Sequence, residues 1–439
     1  MLKGGDVVGR TFAYGGIHPE YNKHLSRDKK IEVFDLVDEY YVPMQQHIGK
    51  PARCLVKKGD KVEVGQKIGE ADGFISANIH APVTGTVVDV VRWPTPVGFE
   101  VETVVIERDK AYKGEMQLRD RNWRTLAVKE LLEIVKEAGI VGLGGATFPT
   151  HVKLAPQDHV DVLLLNGAEC EPYLTCDHRI MVERAEDIVT GAQIMAKILG
   201  VERIIIGVED NKPDAIDALR HASLKIPSIK VVELETAYPQ GAEKQLIYAC
   251  TGRVVPKGAL PSKAGVVVNN VGTALAVFEA VVFGKPLIER VVTVTGKVGM
   301  PANLLIRIGT PFEKVLKVAE IATETPKIIS GGPMMGIAQS TLSVPVVKGT
   351  SGILVLDEGE AANWEEWNDC LNCAACIDAC PMNLLPSVFS RGVELGKIED
   401  LRKLDVMSCI ECGCCSYVCP AGRPIVQFIR VAKAILRRG

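Results

Sequence analysis

Thiols are the first candidates for chemistry, because nine of the thirteen cysteines fall between Cys370 and Cys419. Cys370, Cys373, Cys376 and Cys380 run as C-x2-C-x2-C-x3-C and are followed by Pro381. Cys409, Cys412, Cys415 and Cys419 repeat that spacing before Pro420, and every position is offset by 39. Spacing this tight lets a short loop offer three sulfurs to one polynuclear centre while the fourth lies just beyond. Zinc also takes four thiolates, but structural zinc sites usually pair C-x2-C units instead of running four cysteines into Cys-Pro. Disulfides need an oxidising compartment, and the opening Met-Leu-Lys-Gly-Gly-Asp has no charged-then-apolar secretory layout. Cys414 has Ala375 as its counterpart and reads as a core thiol, as do the single Cys54, Cys170, Cys176 and Cys250.

The repeated run resembles two-cluster bacterial ferredoxins, in which three cysteines of each run hold one cubane and the fourth crosses to the other. The resemblance implies one [4Fe-4S] cluster on Cys370, Cys373, Cys376 and Cys419, and a second on Cys409, Cys412, Cys415 and Cys380. Between the runs, Leu384, Leu385, Val388, Phe389, Val393, Ile398, Leu401 and Leu404 recur at helical spacing. A helical two-cluster ferredoxin unit is therefore expected.

A second chemistry belongs to anions and polar rings. Gly142, Gly144 and Gly145 make a dense glycine loop whose N–H groups can approach a phosphate, with Lys153 nearby to neutralise it. The loop follows a helical pattern, Leu126 to Ala138, whereas an ordinary dinucleotide fingerprint follows a strand. Asn166, Glu169 and Glu171 come at the end of the next apolar run, and Asn269 and Asn270 at the end of another. Ligands of open α/β sheets bind at such strand ends.

The elements that must position these groups are legible as changes of period. Residues 50–106 alternate in short apolar runs around Gly59, Gly65 and Gly85, as in a small barrel or sandwich. The phrase His80-Ala-Pro-Val-Thr-Gly85 resembles lipoyl and biotinyl carriers, but residues 71–82 contain no lysine for a swinging arm. Strands at 160–165, 203–208, 229–234 and 266–268 alternate with helices at 126–138, 180–199 and 213–221, which predicts a largely parallel sheet. A short β unit with a helix beginning near Pro311 follows at 291–318.

Taken together, Gly142-Leu-Gly-Gly-Ala-Thr-Phe148, Asn166-Gly-Ala-Glu169-Cys-Glu171, Ala237-Tyr238-Pro-Gln-Gly241-Ala-Glu243 and Val268-Asn269-Asn270 resemble the flavin-bearing, NADH-oxidising subunit of respiratory complex I. With a carrier-like unit before and two ferredoxin runs after, the whole chain resembles the RnfC family, the C subunits of Rnf complexes, which are membrane-bound ferredoxin:NAD oxidoreductases. The opening Phe12-Ala-Tyr-Gly15-Gly16-Ile17-His18-Pro19 shares that resemblance. It implies a multidomain α/β and β fold in four units: a lipoyl-like barrel-sandwich at 1–115, an FMN- and NADH-binding α/β domain at 120–288, a β-grasp SLBB domain at 289–355 and the helical ferredoxin domain at 360–439.

By the same resemblance Gly142, Gly144, Gly145 and Lys153 would cradle the FMN phosphate, and Asn166, Glu169, Asn269 and Asn270 its ribityl chain and ring. Tyr238 and Gly241 would complete the cofactor site, and Phe148, Glu171 and Glu243 would face the nucleotide. Leu143, Ala168 and Ala242 stand where complex I has Arg, Asp and Glu, which removes polar contacts. The implied activity passes hydride between NAD(H) and FMN, then single electrons through the clusters to other subunits of a membrane-bound complex coupled to ion transport. Ferredoxin would supply electrons indirectly. Soluble cobalamin-reducing flavoproteins of the same domain set, and a flavin-free electron relay, are the rival readings.

Composition narrows the field from another side. The 51 basic and 54 acidic side chains leave a net charge of −3, which gathers no nucleic acid. The longest apolar stretch, 266–283, is broken by Asn269, Asn270 and Glu279, so no transmembrane segment is expected. With that, the resemblance implies a peripheral subunit on the cytoplasmic side of the membrane. The apolar face of 424–438 is read as packing on the ferredoxin domain more than as a membrane contact.

Overall fold

The computed structural model describes residues 11–360 and 367–438. The opening six residues, which bear on secretion, lie outside this range. Val162–Gly167, Arg203–Glu209, Ile229–Leu234 and Val266–Asn270 form a wholly parallel four-stranded sheet. Its strands are continuous β-branched and leucine runs because both faces are buried. The expected helix at 180–199 is two helices, Cys176–Glu183 and Ala185–Leu199, broken at Arg184. The first begins earlier than its periodicity suggests because the Glu169 carboxylate accepts the Asp177 and His178 N–H groups at its start.

Two small antiparallel sheets build the barrel-sandwich around Tyr40, Val42, Ile68, Ile79, Val87 and Ile106. The strand Glu39–Pro43, not anticipated from the sequence, closes one of them beside Glu100–Arg108. The third unit is a six-stranded mixed sheet with the helix Phe312–Ala319 against it. Its edge strand is Ile31–Val33, paired parallel to Ala302–Arg307, and Phe34 enters the same core. The segment around residue 31 therefore belongs to this sheet and not to the barrel, where a boundary at 1–115 would put it. Three residues are too short for a strand pattern to reveal a partner so distant in sequence.

The ferredoxin unit is helical, with Pro386–Glu394, Ile398–Lys403 and Ile425–Leu436 packed around Phe389, Leu401, Val406 and Ile429. The last helix buries Ile425, Ile429, Ala432 and Leu436 on this core and leaves Ile435 exposed. No helix among the described residues is long and apolar enough to cross a membrane. The 266–283 stretch becomes a buried strand followed by the buried helix Val271–Phe278.

Candidate functional site

The eight cysteines of the two runs line two cavities, and the partition is the crossed one. One cavity is lined by Cys409, Cys412 and Cys415 with Cys380; the other by Cys370, Cys373 and Cys376 with Cys419. Each set of four thiolates, three from one run and the fourth from the other, fits a [4Fe-4S] cluster. All thirteen cysteines are free. Cys414 also lines the first cavity, fully buried, with its Sγ 3.9 Å from the Tyr238 carbonyl.

The two cavities are placed differently. Cys373 is exposed and Leu371 keeps 64% of its surface, so the Cys370 loop faces solvent. The Cys409 loop and Cys380 instead press against the rest of the chain. The Tyr238 hydroxyl donates to the Cys412 carbonyl at 2.7 Å, Gln245 Nε2 donates to the Pro381 carbonyl at 3.0 Å, and Gly413 packs on Met334.

At the carboxyl ends of the parallel sheet the expected flavin residues converge. Asn166 and Asn270 are register partners on neighbouring strands. A Cβ added at Gly144 would lie 2.7 Å from Asn270 Nδ2, so only glycine lets the loop approach, while one at Gly145 would meet nothing within 4 Å. Gly142 closes the loop by donating its N–H to the Phe148 carbonyl. Asn269 is buried and its Nδ2 has no partner. An orphaned buried donor on the residue before Asn270, which itself packs on Gly144, fits a bound polar ring and phosphate, because leaving such a group unpaired costs about 1–3 kcal/mol.

Other expected contacts are already engaged. Asn166 Nδ2 donates to the Gly241 carbonyl and its Oδ1 accepts the Ala168 N–H, so this amide shapes the strand end. Asn270 caps the Val271–Phe278 helix through Gly272 N–H and donates to Asp177. Burial and the neighbouring Glu169 carboxylate push the Asp177 carboxyl up. Glu169 itself caps the Cys176–Glu183 helix. Lys153 pairs with Glu243 at 2.8 Å. Glu171, expected to face the nucleotide, instead accepts the N–H groups of Met334 and Met335. Burial pushes its carboxyl up to about 7, against those two donors. Tyr238, expected among the cofactor contacts, is fully buried against the cluster loop because its hydroxyl finds its partner there.

Sequence reasoning missed Lys23. Its buried ammonium donates to the carbonyls of Glu169 at 2.8 Å, Glu171 at 3.0 Å and Leu174 at 2.6 Å, and so folds the loop that follows Asn166. A lysine in an unpatterned segment carries no signal of burial. Lys212, fully buried, donates to the Ala168 carbonyl and pairs with Glu209.

Residues 11–111 match the family model of the RnfC barrel sandwich hybrid domain, 135–279 the Nuo51 FMN-binding domain and 369–423 a 4Fe-4S dicluster domain. The C subunit of the proton-translocating ferredoxin:NAD(+) oxidoreductase complex of Clostridium ljungdahlii is 48% identical over 426 residues, covering 96% of this chain and 93% of that protein. Its Na(+)-translocating counterpart from Acetobacterium woodii is 46% identical over 432 residues, covering 95% and 96%. The C subunit of the Rhodobacter capsulatus ion-translocating oxidoreductase complex is 43% identical over 429 residues, covering 96% and 82%. Among solved structures, an NAD+-reducing [NiFe]-hydrogenase in the H2-reduced state aligns with TM-score 0.50 at 20% identity, covering 70% of this chain and 62% of that one, a likeness of fold. Through its own cluster cavities, its glycine cradle and these relatives, the chain belongs to the family of C subunits of the Rnf-type ion-translocating ferredoxin:NAD(+) oxidoreductase complexes.

Proposed function

We propose that this chain is the NAD(H)-reacting subunit of such a complex, peripheral on the cytoplasmic face of the membrane, and that it connects two-electron to one-electron transfer. FMN supplies the chemistry that accepts a hydride and releases single electrons, and cubane clusters carry them singly. The carrying observation is the orientation of the ferredoxin unit, whose Cys380–Cys412 cavity abuts the flavin unit through Tyr238 and Gln245 while Cys373 faces outward. Cys380, Cys409, Cys412 and Cys415 would therefore hold an inner cluster, and Cys370, Cys373, Cys376 and Cys419 an outer one, on the side open to other subunits.

The chain's own groups bind and orient. The Gly142–Gly145 loop leaves room for a phosphate beside the strand ends, and Lys153, released from Glu243, neutralises it. Asn269 Nδ2, buried without a partner, would donate to the flavin ring or ribityl chain. Phe148, half-buried on the same loop, offers a face to the nucleotide. Glu169, Asn166 and Asn270 keep the strand ends in register and are supports more than ligands. Adding NADH to the anaerobic purified chain tests this: the flavin absorbance falls as the clusters are reduced, and an unbleached flavin spectrum overturns the reading. Rapid corrin reduction by the same preparation would instead favour the cobalamin-reducing relatives.

A further inference from the structure

Two parts of the sequence are left over from the flavin cradle and the cysteine runs: the opening Gly15-Gly16-Ile17 and Tyr238. In the structure they meet. Ile17 and Tyr238 exchange both backbone hydrogen bonds, at 2.8 and 2.9 Å, and the Gly16 N–H donates at 3.0 Å to the carbonyl of Ala379, the residue before Cys380. Gly15 has φ +62, and a Cβ there would lie 2.6 Å from the Cys380 carbonyl carbon, so the strap is pressed flat against the ligand loop. Tyr238 reaches past it to donate to the Cys412 carbonyl, and Gln245, buried at 6% exposure, donates to Pro381, the residue after Cys380.

Three donors from outside the ferredoxin unit thus end on the carbonyl of one inner-cluster ligand or of a residue next to one. A cluster gains negative charge when reduced, and its potential responds to burial and to the hydrogen bonds around it. A donor drains the negative end of the carbonyl it binds, which stabilises the reduced form. We propose that Tyr238 and Gln245 are positioning residues, braced by the 15–17 strap, that raise the reduction potential of the inner cluster and fix it against the flavin unit. This rests on the assignment of Cys380, Cys409, Cys412 and Cys415 to a [4Fe-4S] cluster. The step it tunes is a one-electron reduction of that cluster; NADH, the reductant, releases NAD+, a proton and two electrons, which leave the flavin unit one at a time.

The test is an EPR-monitored redox titration of the full chain, anaerobically purified, as wild type, Tyr238→Phe and Gln245→Leu. Each variant removes one donor at nearly constant volume. The inner cluster's one-electron equilibrium moves toward the oxidised form by up to about tenfold, or 59 mV, while the outer cluster's potential stays in place. If Tyr238→Phe loses inner-cluster iron, Gln245→Leu, which keeps the Tyr238 bond, decides. Inner-cluster potentials unmoved in the iron-replete variants, or both clusters shifting together, overturn the proposal. A wild-type chain that lacks flavin or half its iron speaks against the functional reading instead, and is seen before any variant is titrated.

Discussion

Replacing Lys23 by Met removes a charge that the sequence gives no reason to notice. The ammonium is buried and makes three hydrogen bonds, to the Glu169, Glu171 and Leu174 carbonyls. Burial lowers its pKa, and the Glu169 carboxylate raises it. Methionine keeps most of the volume and removes the desolvation cost of the charge, but leaves three carbonyls without their donor. At about 1–3 kcal/mol for each buried group left unpaired, offset by the relieved desolvation, the net loss is roughly 3–5 kcal/mol. Lys23 sits under the loop from Ala168 to Leu174, so the same change weakens FMN binding by loosening the strand end at Asn166. Thermal unfolding of wild type and Lys23→Met, paired with fluorescence titration of flavin, measures both. A midpoint within a degree of wild type together with unchanged flavin affinity refutes the role given to Lys23.

Asn269→Leu removes the orphaned amide, so the flavin-free chain keeps or gains stability while FMN affinity falls by roughly tenfold to a hundredfold in the same fluorescence titration. Cys419→Ser, on the far run, costs about four of about eight irons and abolishes the signal of the cluster that also uses Cys370, Cys373 and Cys376, leaving the other intact. In the barrel, His47 Nε2 accepts the Ala77 N–H at 2.7 Å, and burial holds its pKa down to about 4. The unfolded chain therefore takes up the proton first as pH falls below about 6.5, and stability drops by up to about 3 kcal/mol by pH 4. His47→Gln, which retains an acceptor, removes this share of that limb of a pH-dependent denaturation series and leaves the share of His80, whose pKa burial lowers to about 3.

How much was legible depended on whether the signal was local. The cysteine spacing pointed to the eight cysteines that line the two cavities, and the crossed grouping implied by the ferredoxin resemblance is the grouping of those linings; three sulfurs of each set are neighbours in sequence. The parallel sheet was equally plain, since buried strands read as uninterrupted apolar runs. Roles that depend on distant partners were not legible. Glu171 reads like a ligand, but whether its carboxylate meets a nucleotide or the Met334 and Met335 N–H groups is decided by a loop more than 150 residues away. Tyr238 likewise looks like part of a flavin motif until Cys412 is folded onto it. Ile31–Val33, Lys23 and the 15–17 strap carry no periodicity at all, and gain meaning only from what lies opposite them.

The order of the two clusters is the point on which the functional account turns, and rapid mixing of NADH with Cys380→Ser and Cys419→Ser, cluster by cluster, measures it. With the outer cluster lost in Cys419→Ser, NADH still reduces the inner one within the flavin's own time course. With the inner cluster lost in Cys380→Ser, the flavin bleaches and the outer cluster stays oxidised. Prompt reduction of the outer cluster in Cys380→Ser would contradict the account.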